Sequence, residues 1–142
     1  MANADKYLVS LVNVIDHINT GVMITITLNG SMFTGELVSV EEFAGGMAAH
    51  LREVQNLQDP DEQGFDALFS NLLDEAKSRR EQYEAAKAAG NPDGIPKAEF
   101  LHLKGALPVL GMGVPRGDGG WWRIRIADVD GWAFGRMGSS HE

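Results

Sequence analysis

A chain of 142 residues, 44% hydrophobic and 23% charged, has the composition of one ordinary globular domain, long enough to bury its apolar surface without a covalent staple. It contains no cysteine, which excludes a disulfide framework, a thiol nucleophile and a Cys-ligated metal and agrees with a cytoplasmic location. The net charge of −8 is concentrated in residues 41–97, with twelve acidic against six basic side chains; residues 98–142 carry five of each, and an acidic total of this kind repels phosphate backbones.

The start MANADKYLVSL lacks the basic run and cleavage site of a signal peptide, and no apolar run approaches the roughly 20 residues that span a bilayer. A soluble protein with no membrane association is expected. From Tyr7 to Ile18, the residues Leu8, Leu11, Val12, Ile15 and Ile18 recur at helical spacing, with Asn3 or Asp5 to cap the start and Gly21 to close the end. Then VMITITLNGSMFTGELVSV alternates Ile24, Ile26 and Leu28 with Thr25 and Thr27 up to Asn29-Gly30, the dipeptide favoured in a two-residue hairpin turn. Such a turn sets Leu28 opposite Ser31, Ile26 opposite Phe33 and Ile24 opposite Gly35. A glycine within a strand marks a bend. Beyond Gly35 the apolar residues occupy both faces, Leu37 on one and Val38 and Val40 on the other, the pattern of a small curled barrel.

Residues 41–56 read as a helix weakened by Gly45-Gly46. A second helix is expected to start with Asp59 as cap, Pro60 and Glu62, and to run as the stripe Phe65, Leu68, Phe69, Leu72, Leu73 and Ala76. Gly90-Asn91-Pro92 stops it, and its polar later part, AKSRREQYEAAKAAG, is expected to protrude into solvent. EFLHLKGALPVL reads as a strand broken near Gly105 or Pro108, GMGVPRGDGG as a glycine-rich connection, WWRIRIADV as a strand and WAFGRM as a last short strand. The fold expected is α+β: one domain, residues 1–142, with a small five-stranded Sm-like or SH3-like barrel (22–40 and 98–137), an N-terminal helix, and a helical insertion (41–97) between strands two and three.

The hairpin with its downstream glycine resembles the opening of an Sm-like barrel. A narrower resemblance joins two spaced motifs. Phe100, His102, Leu103 and Lys104 match an F-x-H-L-K segment; Trp122, Arg123, Ile126, Ala127, Val129, Asp130 and Gly131 match W-R-x-x-I-A-x-V-D-G. Together they are similar to the gas vesicle accessory protein U family. That resemblance implies a non-enzymatic cytoplasmic factor, associated with gas vesicles and acting in their assembly or organisation, whose partners are shell proteins or other accessory proteins.

Tests for other chemistry return little. His17, His50, His102 and His141 fall on different elements without metal-ligand spacing, and His102 reads as a structural histidine. No nucleophile elbow occurs, and GMGVPRGDGG lacks the Lys-Ser/Thr and following helix of a phosphate cradle. Glu41-Glu42 and Asp74-Glu75 read as solvated charge. No enzyme, cofactor or metal is expected. The stretch WWRIRIADVDGW holds all three tryptophans. Alternation puts Trp122, Ile124 and Ile126 inward, and Trp121 outward beside Arg123 and Arg125; Trp132 follows the Asp130-Gly131 turn. Exposed Trp and Arg are the residue types of binding hot spots, so Trp121, Arg123, Arg125, Trp132 and Arg136 are the candidate partner-binding residues. The ordinary reading is a tryptophan covering the rim with arginine stems laid across apolar surface. The alternative function is an Sm-like RNA-binding protein using Arg123, Arg125 and Arg136, which the acidic total disfavours. Unpaired barrel edges admit homo-oligomerisation, although the insertion could block a ring.

Overall fold

A computed structural model describes residues 4–56, 64–91, 97–109 and 120–136. Helix α1 (Lys6–Ile18) starts where Asp5 accepts the backbone N–H groups of Tyr7 at 2.8 Å and Leu8 at 3.3 Å. It ends at Asn19, which takes the left-handed conformation (φ 53°), before Gly21 is reached. Strands β1 (Gly21–Leu28) and β2 (Ser31–Val38) are joined through Asn29 and Gly30, both at positive φ (48° and 84°). Their register is the expected one: Leu28 with Ser31, Ile26 with Phe33, Ile24 with Gly35.

β3 (Phe100–Pro108), β4 (Gly120–Arg125) and β5 (Gly131–Phe134) complete an antiparallel sheet of order β4-β3-β2-β1-β5. The register shifts at Thr34/Glu36 in β2 and at Leu103/Ala106 in β3, where Gly105 has φ 64°. The two irregularities face each other. A Cβ on Gly35 would lie 3.1 Å from the Ala106 Cα and 3.3 Å from the Lys104 carbonyl oxygen, so a side chain here would force the β3 backbone to give by a few tenths of an ångström.

The five expected strands are present, but the barrel is not closed. β4 and β5 are the edges of an open sheet and do not pair with each other among the described residues. The expected strand WWRIRIADV stops at Arg125, and a 3-10 turn (Ile126–Asp128) carries the chain toward β5. That turn shortens the Arg125-to-Gly131 connection to a reach of about 16 Å, less than the roughly 19 Å between the outer strands of a flat five-stranded sheet. The sheet is therefore curled while remaining open.

Two-sided burial after Gly35 has another cause than closure. On one face, α1 lays Leu8, Val12 and Ile15 onto Ile24, Ile26, Leu37, Leu101, Leu103, Ile124 and Ile126, which form the main core. The other face is covered by helices. Val38 lies opposite His102 on β3, and α2 (Val40–Val54), capped by Ser39, brings the Phe43 ring to 4.5 Å from that imidazole. α3 (Asp66–Ala88) packs beside α2, with Phe43 and Phe69 edge to face at 6.0 Å. The expected cap of α3 at Asp59, Pro60 and Glu62 and the stop at Pro92 lie outside the described residues, as does GMGVPRGDGG up to Gly119.

The later part of α3 does not protrude as expected. Tyr83 stacks on His17 of α1 at 4.1 Å, Glu84 lies 3.4 Å from the same imidazole, Arg80 pairs with Glu41 of α2 at 2.8 Å, and Ala86 is buried. Its partners are polar and aromatic, so a helix with no apolar stripe in this half is nonetheless docked. The first half departs from expectation in the opposite sense: Phe65 and Leu68 of the apolar stripe are exposed.

Candidate functional site

The hairpin and the tryptophan-bearing segment share one sheet, but the two adjacent indoles have exchanged their expected environments. Trp121 turns toward α2 and is half-buried: its ring meets Phe43 edge to face at 6.2 Å, and the Lys104 ammonium lies 5.7 Å from the indole centroid. The indole occupies the space where a Cβ on Gly46 would be, which accounts for a helix-weakening glycine in α2. Trp122 is on the face shared with Ile124. It rests on Phe33 at 5.5 Å and remains 45% exposed. On β4 itself the buried residue of that face is Ile124, whereas on β3 the core extends past Trp122 to Ala106.

Arg123 is on the same face as Trp121. Its guanidinium stacks over Phe100 at 4.1 Å, and Nη1 lies 3.3 Å from Nε2 of His102. Arg125 is exposed at the β4 edge, paired with Phe100 in the ladder, and its side chain makes no hydrogen bond or ion pair with a described residue. Trp132 belongs to β5, at the opposite edge in hydrogen-bonding order. It packs against the main core, its Nε1 donates to Asp5 Oδ2 at 3.3 Å, and its ring is edge to face with Phe134 at 5.4 Å. Arg136 follows that strand and is exposed. The five candidate residues thus divide between the two edges: Trp121, Arg123 and Arg125 on β4, Trp132 and Arg136 at β5.

A family model described as "Gas vesicle protein GvpU-like" matches residues 5–137, from the α1 cap to just past the last strand. The chain belongs to this family. No curated protein and no solved structure matches it. The GvpU-like assignment accommodates both motif segments singled out in the sequence, and it spans the helical insertion that those motifs left unaligned.

Reading residues alone missed the apolar side chains that the fold leaves in solvent. Phe134 is 62% exposed at the β5 edge, and on α1 Tyr7 and Ile18 are 68% and 58% exposed. With Leu11 and Val14 they form a stripe at i, i+4, i+7 and i+11, a second apolar face beside the one in the core. Leu11 is half-buried against the core as its place in the stripe predicts, whereas Ile18, predicted in the same stripe, is exposed; the width of the apolar arc is the available signal.

Also unforeseen are the polar clefts under α3. One, between α1 and α3, is about 20 Å³, room for a water, and includes Asp16. Burial pushes the Asp16 carboxyl up to about 6, although the Val40 N–H donates to it at 2.9 Å and Arg79 lies nearby. The second, between α3 and the β3–β4 edge, is about 180 Å³, and His102 lines it. Burial, reinforced by the Arg123 and Arg79 charges, pushes the His102 imidazole down to about 3, so it is neutral. Arginine only donates, so Nε2 accepts and the proton resides on Nδ1. That Nδ1 is buried and has no hydrogen-bond partner among the described residues. The described residues contain no group of His, Asp and Glu suited to a metal, and no helix long and apolar enough to cross a membrane.

Proposed function

We propose that the protein is a non-enzymatic cytoplasmic accessory factor that acts in gas vesicle assembly or organisation by docking on shell or fellow accessory proteins. The supporting observation is a family match over residues 5–137 on a chain whose sheet carries an exposed aromatic at each unpaired edge. Trp122 provides one contact site, at the β4 edge; Phe134 with Trp132 and Arg136 provides the other, next to the start of α1, where Asp5 accepts from Trp132. Aromatic and guanidinium groups at a solvent boundary are the anchors from which protein interfaces draw most of their energy. The same unpaired edges admit self-association, since an open strand edge offers free N–H and C=O groups to a second chain.

The RNA-binding alternative has less support: Arg123 is engaged by Phe100 and His102, and Arg125 on β4 and Arg136 after β5 belong to opposite edges of the sheet. Co-sedimentation with purified gas vesicles, with and without the other accessory proteins, tests the reading. The wild-type chain is expected to pellet with vesicles, and Trp122→Ser or Phe134→Ser to remain in the supernatant with an unchanged circular dichroism spectrum. Absence of pelleting above background in every mixture would overturn it. So would salt-sensitive binding of single-stranded RNA with no vesicle association.

A further inference from the structure

The larger cleft has a composition that docking between proteins does not use. It is walled by Glu75 and Arg79 from α3, Glu99 and His102 from the β3 region, and Arg123 from β4. Two carboxylates and two guanidiniums thus face a space of about 180 Å³, somewhat larger than a cavity of about 150 Å³ that admits a benzene-sized molecule. Glu75 and Arg79 are one turn apart on α3, the spacing at which opposite charges usually join. Yet none of the four forms an ion pair with another among the described residues; the ion pairs of the chain lie elsewhere. The fifth polar member, His102, is 3% exposed and carries the unpartnered Nδ1 proton, a donor that lacks its acceptor.

The charge balance selects the ligand. An anion entering the cleft would face Glu75 and Glu99, and a cation would face Arg79 and Arg123; each is opposed as strongly as it is attracted. A molecule carrying both charges a few ångströms apart satisfies all four groups. The apolar part of such a molecule meets Leu72 and the ring of Phe100, which complete the wall.

We propose that the cleft between α3 and the β3–β4 edge binds a small zwitterion of the amino-acid type. Its carboxylate accepts from Arg79, Arg123 and the His102 Nδ1, and its ammonium donates to Glu75 and Glu99. This site is on the α2–α3 side of the sheet, away from α1, and does not depend on the docking reading above.

The test is a titration of the full chain, labelled with nitrogen-15, with glycine and with L-proline, following the His102 ring resonances. Acetate and methylammonium serve as the two half-ligands. At least one zwitterion is expected to shift the His102 signals saturably, with both half-ligands weaker by roughly tenfold or more. Glu75→Gln at the exposed side of α3 and Arg79→Gln at its half-buried neighbour are each expected to weaken it by a similar factor, Glu75→Gln with the melting temperature unchanged; if one variant unfolds, the other decides. The proposal is overturned if neither glycine nor L-proline moves the His102 signals, if acetate alone binds as tightly, or if the folded variants keep wild-type affinity.

Discussion

The two faces of the sheet are covered in opposite ways. On the α1 side the cover is dry and apolar, with Leu8, Val12, Ile24, Ile26, Leu37, Leu101 and Leu103 all sealed from solvent. On the α2–α3 side the buried set contains a histidine, two threonines and a serine, and α3 is held by Arg80–Glu41 and by His17 with Tyr83 and Glu84. The β3 residues Leu101, His102 and Leu103 alternate between these environments within three positions. The apolar cover supplies stability that pH barely touches, while the polar cover places titratable groups where protonation has consequences.

The largest effect expected from this contrast is in a pair of truncations. Leu101→Ala opens a cavity in the dry core and is expected to cost about 2–5 kcal/mol, whereas Leu72→Ala in the half-buried α3 wall is expected to cost about 1 kcal/mol or less. Urea unfolding of the two variants measures both, and equal losses would erase the distinction.

Next comes the seat of Trp121. Gly46→Ala drives a methyl group into the indole and is expected to cost about 1–3 kcal/mol, with a change in tryptophan emission. Its neighbour Gly45 has open space around its Cβ position, so Gly45→Ala is expected to raise stability by about 0.5–1 kcal/mol through helix propensity alone. Thermal melts of the two variants should therefore move in opposite directions.

Titration under α3 gives a prediction of slopes. The His102 pKa falls from 6.5 unfolded to about 3 folded, so the unfolded chain binds the extra proton and acid between those values destabilises the fold. Asp16 rises from 3.8 to about 6, so between those values the folded chain binds the extra proton and acid stabilises it. From pH 6 down to pH 3.8 the two contributions oppose each other, each with a slope of about 1.4 kcal/mol per pH unit. Relative to wild type, Asp16→Asn should lose stability faster on acidification over this window, and His102→Gln should lose it more slowly. Unfolding midpoints measured from pH 7 to pH 4 check the signs; parallel curves for all three proteins would contradict the burial of both groups.

The smallest effect concerns the start of α1. Removing the cap with Asp5→Ala is expected to cost about 1 kcal/mol and to free the Trp132 indole N–H, which proton exchange at that site would report.

Sequence legibility followed the range of the interactions. The β1–β2 register was readable because Asn29-Gly30 determines it within two residues, and the Gly35 bend because a glycine within a strand marks a close approach, here to the Ala106 backbone. Closure into a barrel was not readable. Leu37 and Val38 are buried on opposite faces whether a sheet curls over itself or helices cover it, and the two cases give one sequence pattern. Period two placed Trp121 and Trp122 on opposite faces, but the inward position it assigns to Trp122 is not the deeper one. That was decided by Phe43 and Gly46, some 75 residues earlier in the chain. The candidate Trp and Arg residues were identified by type, but their division between two edges depends on strand order. The cleft under α3 left no trace, because Glu75, Arg79, Glu99 and Arg123 look like surface charge until the chain folds.

The position of β1 constrains how the chain reaches this state. Its inner neighbour, β2, is two residues away, but its outer neighbour, β5, is made more than a hundred residues later, and the hairpin tip is secured when Asn29 N–H donates to Asp130 Oδ2 at 2.7 Å. During synthesis the ribbon therefore emerges early and waits with one flank bare until Gly131–Phe134 have left the ribosome. A long-range closure of this kind slows folding and prolongs the interval in which a nascent edge can capture the wrong neighbour.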